Sequence, residues 1–316
     1  MFEVIFLVTE VISIAECDIG DILAADVYNE NGITLVVKDT VVNEYIKGKL
    51  IGMGIKSVRI YPLSLKKESA YEEFANHYRD VVLQVREILN GIASGKRLEY
   101  NKISFLSDNI YKSIQENEQI IKCLQETRYA DEYTYTHCLN VAFYSMLIGK
   151  WLDFSERKIK RLIQAGLLHD IGKTQIPADI LNKKGILTKD EFEIIKRHTI
   201  YGHDMLDGIA DISFEIKKAV LLHHERIDHS GYPFNAGSDG INIFAKIVAV
   251  ADVFDAMTSE RVYKKRVTPF DAFGMFKTIG FGIFDTDVLN VFLKKISVYY
   301  TDTSVILNNG EIGRIA

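Results

Sequence analysis

The chain has 316 residues, 47% hydrophobic and 26% charged, which allows two or three domains of ordinary globular composition. Its 38 basic and 43 acidic residues leave a net charge of −5, so no global basic field speaks for a nucleic-acid polymer or a membrane surface as partner. Cys17, Cys123 and Cys138 are widely spaced and form no CxxC pair, which argues against a disulfide framework or a thiolate zinc site and points to a reducing cytoplasm.

The apolar start MFEVIFLVTEVISI lacks a basic leader, carries Glu3 and Glu10 and is too interrupted to span a bilayer, so it predicts a β-strand and no membrane segment. Residues 1 to about 62 are β-rich: ILAADVYNENGITLVV sets an Asn-Glu-Asn-Gly turn between two apolar runs, a hairpin signal. YIKGKLIGMG then predicts a short helix and KSVRIYP a strand. From Lys66 to about Tyr129 the text is polar and helical. Tyr71, Phe74, Tyr78, Val81, Val85 and Ile88 recur at three or four, as on a long amphipathic helix packed on the next domain or on a second copy. Asp131 to about Ser297 is helical throughout, broken by Gly/Pro loops at 172–177 and 228–240. The end, SVILNNGEIGRIA, predicts strand, Asn-Gly turn, strand.

The helical part carries the chemistry. His137, His169, Asp170, His198, His223, His224 and Asp252 form one ordered series of seven metal-ligand types without a cysteine, which suits two or more octahedral ions such as Fe or Mn better than structural zinc. Seven ligands exceed what one ion with an open reaction position can use, and a shared carboxylate bridging two ions would absorb the surplus. Taken alone, His137 in TYTHCLNVAFYSMLIG reads more readily as a buried, hydrogen-bonded histidine. His169 and Asp170 end the apolar helix RLIQAGLLHD; adjacent helical positions diverge by about 100°, so His169 can serve one ion while Asp170 reaches two. Gly172 permits the helix to stop and Lys173 emerges beside the pair. His198 follows KDEFEIIKR, the pair His223-His224 closes IKKAVLLHH, and Asp252 sits in IVAVADVFDAM, where an acid is costly unless paired or metal-bound. Asp255, at i+3 from Asp252, is a candidate either to stand behind a ligand or to touch substrate. His203 reads as structural and His77 as a surface residue.

HDIGK after His137, then His198, HHE (223–225), DHSGYP (228–233) and ADVFDAMTSERVYK (251–264) closely resemble, over residues 131–290, the HD-GYP family of metal phosphohydrolases, whose members hydrolyse cyclic di-GMP. The resemblance implies a mainly α fold. Its parts are a small β-rich N-terminal module (1–65), a helical connector and dimerisation region (66–130), an all-helical HD-type catalytic domain (131–297) and a short C-terminal β hairpin (298–316). It also implies a site of two or three metals, with the seven residues above as ligands and Asp170 as the bridge. Relatives with a third ion carry Glu one turn before the first His; Tyr133 stands there in this chain, which favours two divalent transition-metal ions. Lys173 would stabilise a phosphate oxygen or the hydroxide. Gly231, Tyr232 and Pro233 would border the substrate, and Arg261 and Lys264 would hold its guanine and phosphate portions. Two departures stand out. His229 replaces a Gly, which should disfavour positive φ and reroute the loop or add a polar contact. Thr199 replaces a Pro and should alter helix geometry slightly. The expected protein is a cytoplasmic bacterial phosphodiesterase making pGpG or GMP, a homodimer through the connector with signalling proteins as partners. A silent cyclic di-GMP receptor, or a hydrolase of another cyclic dinucleotide or nucleotide, are the alternatives.

Overall fold

The computed structural model describes residues 10–29, 32–38, 40–61, 65–116, 133–259, 267–300, 304–306 and 312–314. The fold is mainly α, with helices throughout the central part and only small sheets. It divides into two compact units, residues 1–72 with 300–316, and residues 73–299.

The first unit is built on short strands. β1 (Glu10–Ser13), β2 (Ile22–Leu23) and β5 (Ser57–Tyr61) make an antiparallel sheet in the order β1-β5-β2. β3 (Val27–Tyr28) and β4 (Thr34–Val36) form the hairpin expected from the Asn-Gly signal. Gly32 closes it at φ +75°, a conformation that favours glycine, and its N–H donates to the Asn29 carbonyl. α1 (Glu44–Gly52) starts where the Asn43 side chain accepts the Ile46 N–H. Ile14, Leu23, Val42, Leu50, Val58 and Ile60 meet in the core of this unit. β6 (Ser304–Ile306) and β7 (Ile312–Arg314) pair antiparallel, and they belong to this same unit. Residues 1–9 of the predicted first strand lie outside the described residues.

The long helix that the stripe predicts is present, and a second helix follows it in the connector. α2 (Leu65–Ala93) ends at Ser94 and Gly95, the latter at φ +85°, and α3 (Tyr100–Glu116) follows. Such a left-handed residue just past a helix end satisfies terminal carbonyls and halts propagation. Tyr78, Val81 and Val85 of the predicted stripe are buried within the chain. Tyr78 stacks on Phe143 of α4 (Tyr133–Trp151) with ring centroids 6.2 Å apart. The side chains of Tyr71 and Phe74 lie outside the described residues.

α4 is buried over almost its whole length and forms the axis of the helical unit. Such all-round apolar character belongs to a central helix rather than a surface one. It packs against α5 (Glu156–Leu168) and α10 (Ile243–Thr258), while α9 (Phe214–Leu222) lies against α10. Between α5 and α9 come a 3-10 turn (Ile171–Gln175), α6 (Ala178–Leu181), α7 (Lys189–Lys196) and α8 (His198–Asp207). Thr188 and Glu191 form a reciprocal capping box that starts α7. The chain then runs through α11 (Pro269–Met275), a π turn (Phe276–Gly280) and α12 (Phe281–Ile283) into α13 (Thr286–Ile296), whose start is capped by Asp285. Among the described residues, no helix is long and apolar enough to cross a membrane.

Candidate metal centre

Each ligand type in the sequence series sits at a helix end or on the inner face of α4 or α10, and together they converge. Donor atoms of Asp170, His198, His223 and His224 all lie within 4.8 Å of one another, and so do those of His137, His169 and Asp252. Asp170 joins the two groups. Its Oδ2 stands 3.2 Å from His169 Nε2 and 3.7 Å from His137 Nε2, while its Oδ1 stands 3.4 Å from His198 Nε2 and 3.9 Å from His223 Nε2. Asp252 faces both groups too, with Oδ1 3.2 Å from His137 Nε2 and Oδ2 3.9 Å from His224 Nδ1.

The orientation of the imidazoles follows from their place on the helices. His169, His198 and His223 close or open helices, where the carbonyl three residues back has no intrahelical partner. Their Nδ1 atoms lie 2.8, 2.8 and 2.9 Å from the carbonyls of Gly166, Ile195 and Val220. A carbonyl can only accept, so each Nδ1 carries the proton and each Nε2 turns a lone pair inward. Two of these lone pairs, on His198 and His223, face each other at 3.4 Å. Burial holds the pKa of His198, His223 and His224 down, those of His223 and His224 far down, so protonation does not relieve the contact. His169 Nε2 and Asp170 Oδ1 are buried with no hydrogen-bond partner. Buried acceptors left this way cost free energy that a cation between them would recover. The donor set therefore fits divalent metal ions. All its atoms are nitrogen or oxygen: the neighbouring Cys138 thiol, its pKa pushed up by burial, is in neither group.

Burial alone would raise the pKa of Asp170 and Asp252. The histidines around both, and Lys173 beside Asp170, outweigh it and hold both carboxylates ionised. Burial likewise acts to lower His137, but Asp252 and Asp255 overcome it and lift the imidazole to about 9 in the metal-free cluster. Lys173 Nζ donates to Asp170 Oδ2 at 2.5 Å, and Asp170 raises its pKa against the opposing effect of burial. Gly172 is required here by contact: a Cβ would meet the His198 carbonyl at 1.9 Å and the Gly202 nitrogen at 2.5 Å. The 3-10 turn can therefore press on α8 only with glycine at this position.

The GYP loop folds over His224. Tyr232 stacks on His224 with centroids 4.7 Å apart and meets the exposed Phe192 edge-on at 6.4 Å. Lys196 Nζ sits 5.8 Å from the Tyr232 ring centre. Gly231 crosses so close to the chain that a Cβ would lie 2.4 Å from Glu225 Cα. The Tyr232-Pro233 peptide is cis.

Three expectations change. His229 adopts φ +66° in spite of its side chain, so the loop is not rerouted to avoid a left-handed residue. The expected polar contact is present: the ring lies over Gly237 and bonds the Asn235 carbonyl from Nδ1 at 2.9 Å, which repays the backbone cost. Asp255 is fully buried behind His137, with Oδ2 2.7 Å from the imidazole Nδ1, and so does not reach substrate. His77 is half-buried rather than at the surface. His203 stands apart from both donor groups, beside Asp204. Thr199 bonds back to the Lys196 carbonyl where α7 gives way to α8. Arg261 and Lys264 fall in residues 260–266, outside the described residues.

Glu225 went unread. Its buried carboxylate accepts the N–H groups of Phe234 (2.6 Å) and Ala236 (2.8 Å), pinning the loop onto the end of α9. The only signal was its place in the HHE string, which says nothing of a loop nine residues on.

Residues 110–286 match the HD domain family. Over 219 residues the chain is 35% identical to a cyclic di-GMP phosphodiesterase of Pseudomonas aeruginosa, covering 69% of this chain and 53% of that protein. Over 243 residues it is 35% identical to a cyclic di-GMP phosphodiesterase of Thermotoga maritima, covering 74% of this chain and 56% of the relative. The chain thus spans little more than half the length of these two relatives. A 3'3'-cGAMP-specific phosphodiesterase of Vibrio cholerae is 32% identical over 54% of this chain and 39% of its own. Among solved structures, an HD-GYP-type protein of Bdellovibrio bacteriovorus superposes with a TM-score of 0.59 at 15% identity, over 92% of this chain and 99% of that one, a likeness of fold.

Proposed function

The chain belongs to the HD domain family, in its HD-GYP branch, and from that premise we propose that it is a metal-dependent phosphodiesterase hydrolysing cyclic di-GMP to pGpG or GMP. The observation that carries the reading is Asp170, whose two oxygens turn to separate groups of donors in a buried cluster short of hydrogen-bond donors. His137, His169 and Asp252 would hold one divalent ion, His198, His223 and His224 the other, and Asp170 both, with Fe or Mn suited to the nitrogen and oxygen set. When bound, such a pair supplies an acidified water and neutralises charge on phosphate oxygens.

The remaining work falls to the chain itself. Lys173 holds a compact positive charge against Asp170, where it can receive a phosphate oxygen without reorganising. Tyr232, held over His224 with Gly231 and Pro233 beneath the loop, offers a ring face to a base, and Phe192 extends it. Arg261 and Lys264 remain our candidates for the guanine and phosphate ends. A homodimer through the connector would draw on exposed apolar side chains such as Leu83 of α2 and Phe105 of α3, because Tyr78, Val81 and Val85 of the stripe are buried within the chain. We place the protein in the cytoplasm, where the free, buried Cys17 and Cys138 stay reduced.

The test combines metal analysis of anaerobically purified protein with product chromatography. The expected result is about two Fe or Mn per chain, by the donor count above, and release of pGpG or GMP from cyclic di-GMP. Fully metal-loaded protein that leaves cyclic di-GMP intact overturns the assignment. The relatedness to 3'3'-cGAMP-specific enzymes favours one second substrate, so that dinucleotide belongs in the same assay.

A further inference from the structure

Four of the five histidines in the cluster lie at helix ends, but His137 is on the inner face of α4, where every backbone carbonyl nearby is already committed to the helix. It cannot be oriented as His169, His198 and His223 are. Instead its Nδ1 meets the Asp255 carboxylate at 2.7 Å. That carboxylate is itself oriented. Asn140 Nδ2 donates to Asp255 Oδ1 at 2.8 Å, and Ser259 Oγ donates to the same oxygen at 2.9 Å, leaving Oδ2 for the imidazole.

The outer end of the chain lies in the connector. The Tyr78 hydroxyl of α2 donates to Asn140 Oδ1 at 2.8 Å, across 62 positions of sequence. An amide that accepts from a phenol on one side must present its NH₂ on the other. The Asp255 carboxylate can only accept and so fixes which end of Asn140 is NH₂, while the Tyr78 hydroxyl holds the oxygen end and keeps the amide in place between them. All four side chains are buried, Tyr78 at 1%, Asn140 at 3%, His137 at 4% and Asp255 at 0% exposure, so water cannot replace a missing member.

We propose that Tyr78 is a positioning residue of the metal centre, acting through Asn140 and Asp255 to aim His137 Nε2, so that α2 is part of the centre although it supplies no ligand. This rests on the assignment of His137 as a ligand. Tyr78→Phe keeps the ring and its stacking on Phe143 while deleting the hydroxyl that holds Asn140 in place.

The experiment titrates the metal-free full chain with Co(II), whose visible bands report coordination at each site. Wild type is expected to fill two sites. Tyr78→Phe should weaken one of them by up to about 10-fold, with an altered band for that site and the other unchanged. That is the low end of what a partner bonded directly to a ligand contributes, because Tyr78 stands two side chains behind that partner. Val81→Ala, a buried α2 neighbour with no polar role, serves as the structural control and should lower stability without moving either affinity. Two sites of unchanged affinity and spectrum in Tyr78→Phe overturn the relay and leave the metal centre standing. A wild type that binds no Co(II) overturns the centre itself. Should Tyr78→Phe lose its helical circular dichroism, Asp255→Asn carries the same test: the relay requires the same site to weaken, and an unchanged titration overturns it.

Discussion

The two compact units bury polar groups on opposite terms. In the strand-built unit the core is apolar, and its buried acid, Asp21, accepts the Asp18 N–H and the Cys17 thiol within its own turn. The cost of taking that carboxylate from water is met locally. In the helical unit four histidines and two aspartates of one cluster are buried, yet two of their atoms have no hydrogen-bond partner and two lone pairs confront each other. A core that completes itself is structural; one that leaves acceptors turned on a common point awaits a ligand.

The sharpest way to break this contrast is Asp170→Ala. It should remove most metal uptake and lower turnover by more than about 100-fold, beyond what a partner behind a ligand contributes. Near-normal hydrolysis by that variant would show that nothing bridges the two groups. Chelation comes next. Metal at about 1,000 times its Kd should stabilise the helical unit by about 4 kcal/mol. Hydrogen exchange should then quicken on chelation along α8–α10 and stay unchanged in β5; equal acceleration in both units would erase the distinction drawn above. In the other unit, Leu50→Ala should cost about 2–5 kcal/mol in stability, read by denaturant melting, while metal stoichiometry holds. A loss of metal in that variant would mean that the core is not self-contained.

The smallest effect concerns an ordinary ion pair of the helical unit. Lys246 Nζ lies 2.9 Å from Asp285 Oδ2. Burial tends to raise the Asp285 pKa, but Lys246 and the Val288 N–H at the start of α13 bring it below the usual value. A carboxylate so depressed stabilises the fold above its unfolded pKa and loses that contribution as pH falls through the folded one. Asp285→Asn, which keeps a capping side chain, should therefore melt slightly lower near neutrality, by about 0.5 kcal/mol, and converge with wild type in strong acid. A gap that widens on acidification would refute the sign.

The ligand types, their order and the HD and GYP strings were readable because helix ends and apolar periodicity show in linear text. So was the β hairpin, from its Asn-Gly turn. The long helix of the connector was legible too, since α2 spans the whole stripe from Tyr71 to Ile88. Asp255 illustrates the limit. Its spacing from Asp252 placed it on a neighbouring helical face, and nothing local distinguished a cleft from the back of His137. Glu225 and Tyr78 were invisible in the same way, since their partners lie nine to 62 residues away.

Composition, periodicity and motif order were thus enough for the fold class and the inventory of donors, which depend on properties of neighbouring residues. Which donors stand together, which oxygen of Asp170 turns to which group and how His137 is aimed were decided by the packing of α4, α5, α9 and α10. Such contacts are fixed by distances through space of a few ångströms, and sequence separation carries no record of them.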